Sequence, residues 1–209
     1  MDDNARMASQ AADVWPSTEH HGPIAVVEPG IGWESGETAA HRAIDSGTGM
    51  LLIVGDAAPS HAARAVGALL TGLDASRAIP SALSPLAWMQ ACAAVRDRMP
   101  ALRRIANDPV LLARTDASLA HATAVIVTAV RRHVPVVVSG PLPHVAAVAA
   151  QRVTQLIGSG VQSGFDDEDP VAIAARHRLD VRPWIAATVP LSDEQRIEIL
   201  RTVLGGAGS

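Results

Sequence analysis

The sequence predicts an α/β fold, a parallel sheet with helices on both faces. Met50-Leu51-Leu52-Ile53-Val54 and Val134-Pro135-Val136-Val137-Val138 are apolar runs, each followed by glycine within two residues. Strands buried on both faces have this look. Ala-rich segments of helical length lie between and after them, and strands that alternate with helices call for parallel crossovers.

Residues 1–21 are polar and read as a mobile lead-in. They lack the apolar core of a signal peptide. Ile24-Ala25-Val26-Val27, ended by Pro29-Gly30, is a possible first strand. Glu34 to Ser46 has helical spacing, with Gly47 as its stop. After the Met50–Val54 strand, His61 to Leu70 is helical and Gly72 ends it. Leu86 to Ile105 is a longer helix that Pro100 should interrupt, and Asp108-Pro109 opens another. Leu119 to Arg132 is a helix apolar nearly all round. His144 to Val153 is an Ala/Val helix, and Gln155-Leu156-Ile157-Gly158 is a possible third strand. Pro170 starts a helix to His177, Glu194 to Leu204 forms the last, and 205–209 is a flexible tail. One domain, 22–204, is expected. Ligands of such sheets sit beyond the carboxyl ends of the strands, here Gly55-Asp56, Ser139-Gly140 and Gly158-Ser159-Gly160.

Composition closes several routes. The net charge is -4, with no basic stripe, which argues against nucleic acid. All 17 cationic side chains are Arg, so chemistry needing a lysine ammonium is excluded. Flat ligands have only four Trp and Phe165 to stack on. Apolar runs such as Ala122 to Val130 are too short to span a bilayer, so no membrane partner is expected. Cys92, the one cysteine, lies in an apolar helical stretch and reads as a small core residue rather than a reactive thiol. A reducing cytoplasm is the expected compartment.

No metal and no cofactor is expected. His61, His121, His144 and His177 lack metal-ligand spacing, and His20-His21 belong to the lead-in. His144 follows a strand end, where it could face the crevice or pack. Asp166 to Asp169 lacks the glycine and spaced ligands of a calcium loop and reads as a solvated acidic loop. Because several helices are apolar on most sides, a homodimer or hetero-complex is expected to cover them.

Three segments carry a family resemblance. Asp45-Ser46-Gly47, then Met50 to Asp56, then an Ala-rich helix ending Leu70-Thr71-Gly72 resembles the run "DAGADLLIxGDMGIGNTTxAA…ALTG" of the CobT family, the nicotinate-nucleotide:dimethylbenzimidazole phosphoribosyltransferases. Trp88-Met89-Gln90-Ala91-Cys92-Ala93-Ala94-Val95-Arg96-Asp97 is similar to the family's "WMRKxAAVRD". Asp108-Pro109-Val110-Leu111-Leu112, an Ala-rich helix and Arg131-Arg132-His133-Val134-Pro135 follow its "DPxxLL…RRxPVLLDG". Leu179 to Pro183 resembles "LxLxPLLDL". The match covers roughly residues 30–200, in order. It implies a three-layer, Rossmann-like sheet, a nicotinate mononucleotide or benzimidazole-type ligand, and a dimer. Most of a long N-terminal portion that helps build the benzimidazole site is expected to be missing.

The family reaction needs backbone N–H groups for a phosphate and a carboxylate for the proton of the attacking nitrogen. The resemblance places ligand contacts at Gly55, Asp56, Ser60, Ser81, Ser139, Gly140, Gly160 and Ser163. It also shows what is lost. Ala57-Ala58-Pro59 replaces a glycine loop, Pro80-Ser81-Ala82 stands over another, and Asp116 stands where a glycine pair would be. Proline removes a donor, and an aspartate repels a phosphate. The family's catalytic glutamate falls on Asp193, beside Glu194. Ser192-Asp193-Glu194-Gln195 also reads as a capping box, the favoured reading of these residues. Three functions stay open: an impaired CobT-like binding or assembly protein, an active enzyme with a rearranged site, and a subunit of a complete CobT.

Overall fold

The computed structural model describes residues 23–55, 58–154, 160–186 and 191–206. Five strands are β1 (Ile24–Val26), β2 (Met50–Val54), β3 (Val136–Ser139), β4 (Val161–Phe165) and β5 (Pro183–Ile185). The helices are α1 (Trp33–Asp45), α2 (His61–Thr71), α3 (Pro85–Arg104), α4 (Pro109–Ala113), α5 (Ala117–Arg131), α6 (Pro141–Thr154), α7 (Pro170–Leu179) and α8 (Asp193–Gly206). The sheet order is β1-β2-β3-β4-β5, every pair parallel.

That order decides where the helices go. Right-handed crossovers between strands laid down in sequence all fall on one face. Leu51, Ile53, Val136, Val138 and Val161 accordingly share one core with residues of α1 through α7. Met50, Leu52, Val54, Val137 and Phe165 face the other way, where they meet Leu200, Ile197 and Ile199 of α8. Helices cover both faces, as expected, but very unequally.

Side chains chosen for the purpose start the helices. Ser60, Ser84, Asp108, Asp116 and Asp169 each accept a backbone N–H two or three residues on, opening α2, α3, α4, α5 and α7. Pro85, Pro109 and Pro170 follow three of these caps, where a missing N–H costs nothing. Gly72 ends α2 at φ 76°, a left-handed conformation suited to glycine.

Some features differ from the sequence reading or fall beyond its reach. The strand expected at 155–158 lies outside the described residues. The strand that follows, β4, escapes a hydropathy reading because Gln162, Ser163 and Gly164 break its apolar pattern. Gly164 is small because Leu200 lies over it, 3.0 Å from where a Cβ would sit. β5 opens on Pro183, which an edge strand tolerates. Pro100 does not interrupt α3, since it and Arg96 are both exposed and water can take the carbonyl left without a donor.

The expectation that α5 needs a partner to bury it is also answered within the chain. Leu119 through Val130 are all buried, flanked by α1 and α6. The large apolar side chains most exposed are Ile31, Leu86 and Met89. No helix among the described residues is long and apolar enough to cross a membrane. Cys92 is half-buried against the core, and burial pushes its thiol pKa up.

The α1–α5 contact depends on glycine. A Cβ on Gly36 would collide with the backbone oxygen of His121, and one on Gly30 would strike the His121 ring. Because backbone cannot give way cheaply, Gly36→Ala should destabilise the fold by about 1–3 kcal/mol, read as a lower denaturant midpoint. An unchanged midpoint would contradict this close approach.

Candidate functional site

The carboxyl ends of β2, β3 and β4 deliver Gly55, Ser139-Gly140 and Asp166-Asp167 to one edge. The starts of α2, α6 and α7 lie at the same edge, because each helix follows its strand directly. α8 arrives there as well, since Arg196 in its first turn donates through Nη1 to Asp167 Oδ1 (2.7 Å) and Ser139 Oγ (3.2 Å).

Asp167 organises this edge. Its Oδ2 accepts the Gly140 N–H at 3.0 Å, in the residue that leads into α6 with φ 99°. Its side chain is almost entirely buried, and so is that of Arg196. Arg176 of α7 donates through Nη2 to the Asp167 carbonyl and to the Asp166 carboxylate. Its Nη1 is buried with no hydrogen-bond partner among the described residues. Arg196 also lies 5.5 Å over the Phe165 ring, a favourable cation–π distance.

His144 completes the group from α6. Its Nδ1 lies 2.7 Å from the Gly140 carbonyl, which can only accept, so Nδ1 carries the proton. Nε2 then accepts from the Ser163 hydroxyl at 2.9 Å. Nδ1 is also 3.5 Å from Asp167 Oδ2. Burial is the largest influence on the ring and lowers its pKa to about 4; Asp167 and the Gly140 carbonyl oppose that fall, and the two arginines add to it. The imidazole is therefore neutral at pH 7. Serine, histidine and aspartate in line suggest a nucleophilic relay, but Ser163 is fully buried and no substrate carbonyl can approach it.

A second closed pair lies at the start of α2. The Ser60 hydroxyl donates to Asp116 Oδ2, while Ser60 Oγ accepts from Ala63 N and Asp116 Oδ1 from Leu119 N. Two helix N-termini are thus tied together through one carboxylate. Arg64, one turn into α2, makes a two-pronged pair with Asp169 at 2.9 and 3.1 Å and donates to the Ala78 carbonyl.

The candidate residues read from sequence scatter around this edge. Gly55 N donates to the Ser139 carbonyl, next to Gly140; the first turn of α8, which holds Asp193 and Glu194, reaches Ser139 through Arg196, and Ser60 meets Asp116 at the start of α2. Ser81 is exposed, three residues beyond the Ala78 carbonyl held by Arg64. Ser163 stands within β4 rather than in a loop. Gly160 is a correction: it precedes β4, its carbonyl accepts from Val136 N, and it lies at the opposite edge of the sheet. Asp56 lies outside the described residues. The capping box forms as the pattern allows: Ser192 N donates to Gln195 Oε1, and Gln195 N to Ser192 Oγ. Glu194 accepts the Ser192 hydroxyl, which holds it in the cap. Asp166–Asp169 is also corrected: Asp167 and Asp169 are tucked against Arg196 and Arg64, while Asp166, half exposed, pairs with Arg176. Sequence reading passed over Asp167, Arg196 and Arg176. The available sign was an acidic run just after a strand in a chain rich in arginine.

A parallel α/β sheet with backbone donors and guanidinium groups gathered at its carboxyl edge is the frame of a protein that handles anionic ligands. Comparison defines the class further. The family model described as phosphoribosyltransferase (DBI_PRT) matches residues 31–193, and the chain belongs to that family, the CobT type. The nicotinate-nucleotide–dimethylbenzimidazole phosphoribosyltransferase of Streptomyces coelicolor is 29% identical over 168 residues, 77% of this chain and 47% of that protein. The enzyme of the same name from Streptomyces avermitilis is 29% identical over 169 residues, 78% of this chain and 45% of its own. The chain thus spans about half the length of these curated relatives. The crystal structure of CobT from Thermus thermophilus superposes with a TM-score of 0.66 at 20% identity, over 80% of this chain and 53% of that one.

Two outcomes test the network. Arg196→Met leaves the buried Asp167 carboxylate unpaired and should cost about 3–5 kcal/mol of stability, measured by urea unfolding at pH 7. His144 binds its proton more weakly folded than unfolded, so stability is full above the ordinary histidine pKa of 6.5 and falls as pH drops from there to about 4. The loss amounts to roughly 3 kcal/mol. In His144→Gln, unfolding curves at pH 7 and pH 5 should lie closer together than in the wild type; equal spacing would assign the slope to other groups.

Proposed function

We propose that this chain is a CobT-like protein with little or no phosphoribosyl transfer of its own, kept for ligand binding or assembly in the cobalamin lower-ligand pathway. The observation that carries the reading is the occupancy of the anion donors. Gly140 N–H and Arg196 are taken by Asp167, and the paired N-termini of α2 and α5 are taken by Asp116. Among the described residues, a phosphate entering either place meets a carboxylate and donors already in use. Glu194, a base candidate, is engaged in the α8 cap. The ligand class is nicotinate mononucleotide or a benzimidazole. The protein is expected to act in the cytoplasm as a homodimer or hetero-complex, the latter as a structural subunit that pairs with a complete CobT and modulates it.

The second reading is an active enzyme using Asp193 or Glu194 as base. What favours it is the delivery of α8's first turn to the carboxyl edge. Incubation of the purified chain with nicotinate mononucleotide and dimethylbenzimidazole should yield no α-ribazole phosphate above background, while titration calorimetry reports whether either compound binds. Robust product, lost in Asp193→Ala or Glu194→Ala, would establish the second reading in place of the first.

A further inference from the structure

We propose that residues 28–31, between β1 and α1, form an acid-released latch over the carboxyl edge, held down by the His121 ring beneath Gly30 and let go when that ring gains a second proton. The fit of ring to loop is direct. A Cβ on Gly30 would lie 2.4 Å from His121 Cε1, 2.6 Å from Nδ1 and 2.9 Å from Nε2. The ring thus turns its nitrogen-bearing edge toward a glycine methylene, which offers it no acceptor. His121 is 5% exposed, and neither nitrogen has a hydrogen-bond partner among the described residues. α5 has little room to carry the ring elsewhere, because the His121 carbonyl is pressed against Gly36 of α1. The loop is tied at its two ends: Val27 N donates to the Leu52 carbonyl at 2.9 Å, and Gly32 N to the Ala117 carbonyl at 2.8 Å. Between these bonds Glu28 and Pro29 are exposed, and Ile31 is 71% exposed.

The charges on the surrounding elements are Glu28 on the loop, Glu34 and Glu37 on α1, Arg114 before α5 and Asp116 at its cap. Glu34 pairs with Arg114, Glu37 accepts the Trp33 indole N–H, and Asp116 accepts from Ser60 and Leu119. His41, Arg42 and Asp45 lie toward the far end of α1, and Arg131 at that of α5. α6, on the other flank of α5, brings His144, committed to Gly140 and Ser163, and Arg152 in its last turn. None of these is a hydrogen-bond partner of the His121 ring. Burial accordingly lowers its pKa from the ordinary 6.5, opposed by the Glu28 carbonyl. The latched ring binds its second proton more weakly than a ring in water, so the latch is firmest above pH 6.5 and weakens as the pH falls below it. An imidazolium under Gly30 needs two acceptors and finds none, and its way to water leads past the exposed loop. Because Val26 pairs with Leu52, the loop lies beside the end of β2, which leads into Gly55, and it is tied to the start of α5. Lifting it widens the candidate edge from the β1 side by local opening, whether or not the chain transfers phosphoribosyl groups.

Hydrogen exchange of the full chain at pH 7.5 and 5.5, corrected for intrinsic rates, reads the latch in peptides that contain the Gly32 amide. Their protection in the wild type should fall by up to about tenfold per pH unit below 6.5. His121→Leu and His121→Gln, which cannot ionise, should show equal protection at both pH values. Gly30→Ala puts a methyl into the place of the ring and should leave the loop weakly protected already at pH 7.5. His144→Gln removes the other buried imidazole and should keep the wild-type response. In the wild-type chain the His121 Cε1 proton, followed by NMR, should titrate below 6.5 and in step with the loop; this measurement decides the matter should the His121 variants fail to fold. The latch is refuted if the wild-type loop is equally protected at both pH values, if either His121 variant keeps the loss, or if Gly30→Ala protects the loop as well as the wild type does. It is refuted equally if His144→Gln abolishes the response, or if the His121 ring titrates while the loop stays closed.

Discussion

Strand order is the constraint on which this molecule turns. Five parallel strands laid side by side in chain order leave the crossovers no choice of face. Seven of the described helices, α1 through α7, must then share one side, and they do so by packing against one another as much as against the sheet. This explains the alanine. A helix such as α5, buried along its whole length, needs small side chains where α1 and α6 approach, and glycines such as Gly36 where backbone meets backbone. The remaining face is left to α8, which depends on a few apolar contacts and on Arg196.

The same constraint builds the candidate site. Parallel strands end together, so the residues after them and the helix starts that follow are gathered at one edge without any long loop. In a phosphate-binding relative of this architecture, backbone N–H groups at that edge await an external anion. Here the chain supplies the anions. Asp116 lies across two helix starts, Asp167 lies on a third, and Asp169 caps a fourth while holding Arg64. With no lysine in the sequence, every cation here is a planar guanidinium, which suits fixed, two-pronged pairing with carboxylates.

The central strands were legible because β2 and β3 are buried on both sides and need no polar residue. Some helix starts were legible too, since Asp108-Pro109, Pro170 and the Ser192–Gln195 box announce them chemically. β4 was not, because its polar residues face specific partners: Ser163 meets His144, and Gly164 makes room for Leu200. Periodicity records average environments and is blind to such one-to-one contacts. The misplacement of Gly160 follows directly, since the unread strand begins at Val161 and puts Gly160 at its amino end. The site residues that matter most, Asp167 and Arg196, are 29 positions apart. A chain position near a motif gives no hint of a partner that distant, so the sequence reading singled out Asp193 and Glu194 and passed over Arg196.

The lopsided layering has a mechanical consequence. Among the described residues this face is covered by α8 alone, and such a face is the part of a domain that opens first, as a separate unit, while the side bearing α1 through α7 stays folded. In that opened form Met50, Leu52, Val54, Val137 and Phe165 make a bare apolar sheet surface. Such a surface invites aggregation, as transiently exposed hydrophobic faces do. The three-residue lengths of β1 and β5 limit the damage, because short edge strands are poor templates for adding strands from another molecule. The hazard of this architecture is therefore stacking face to face, not growth from the edges of the sheet.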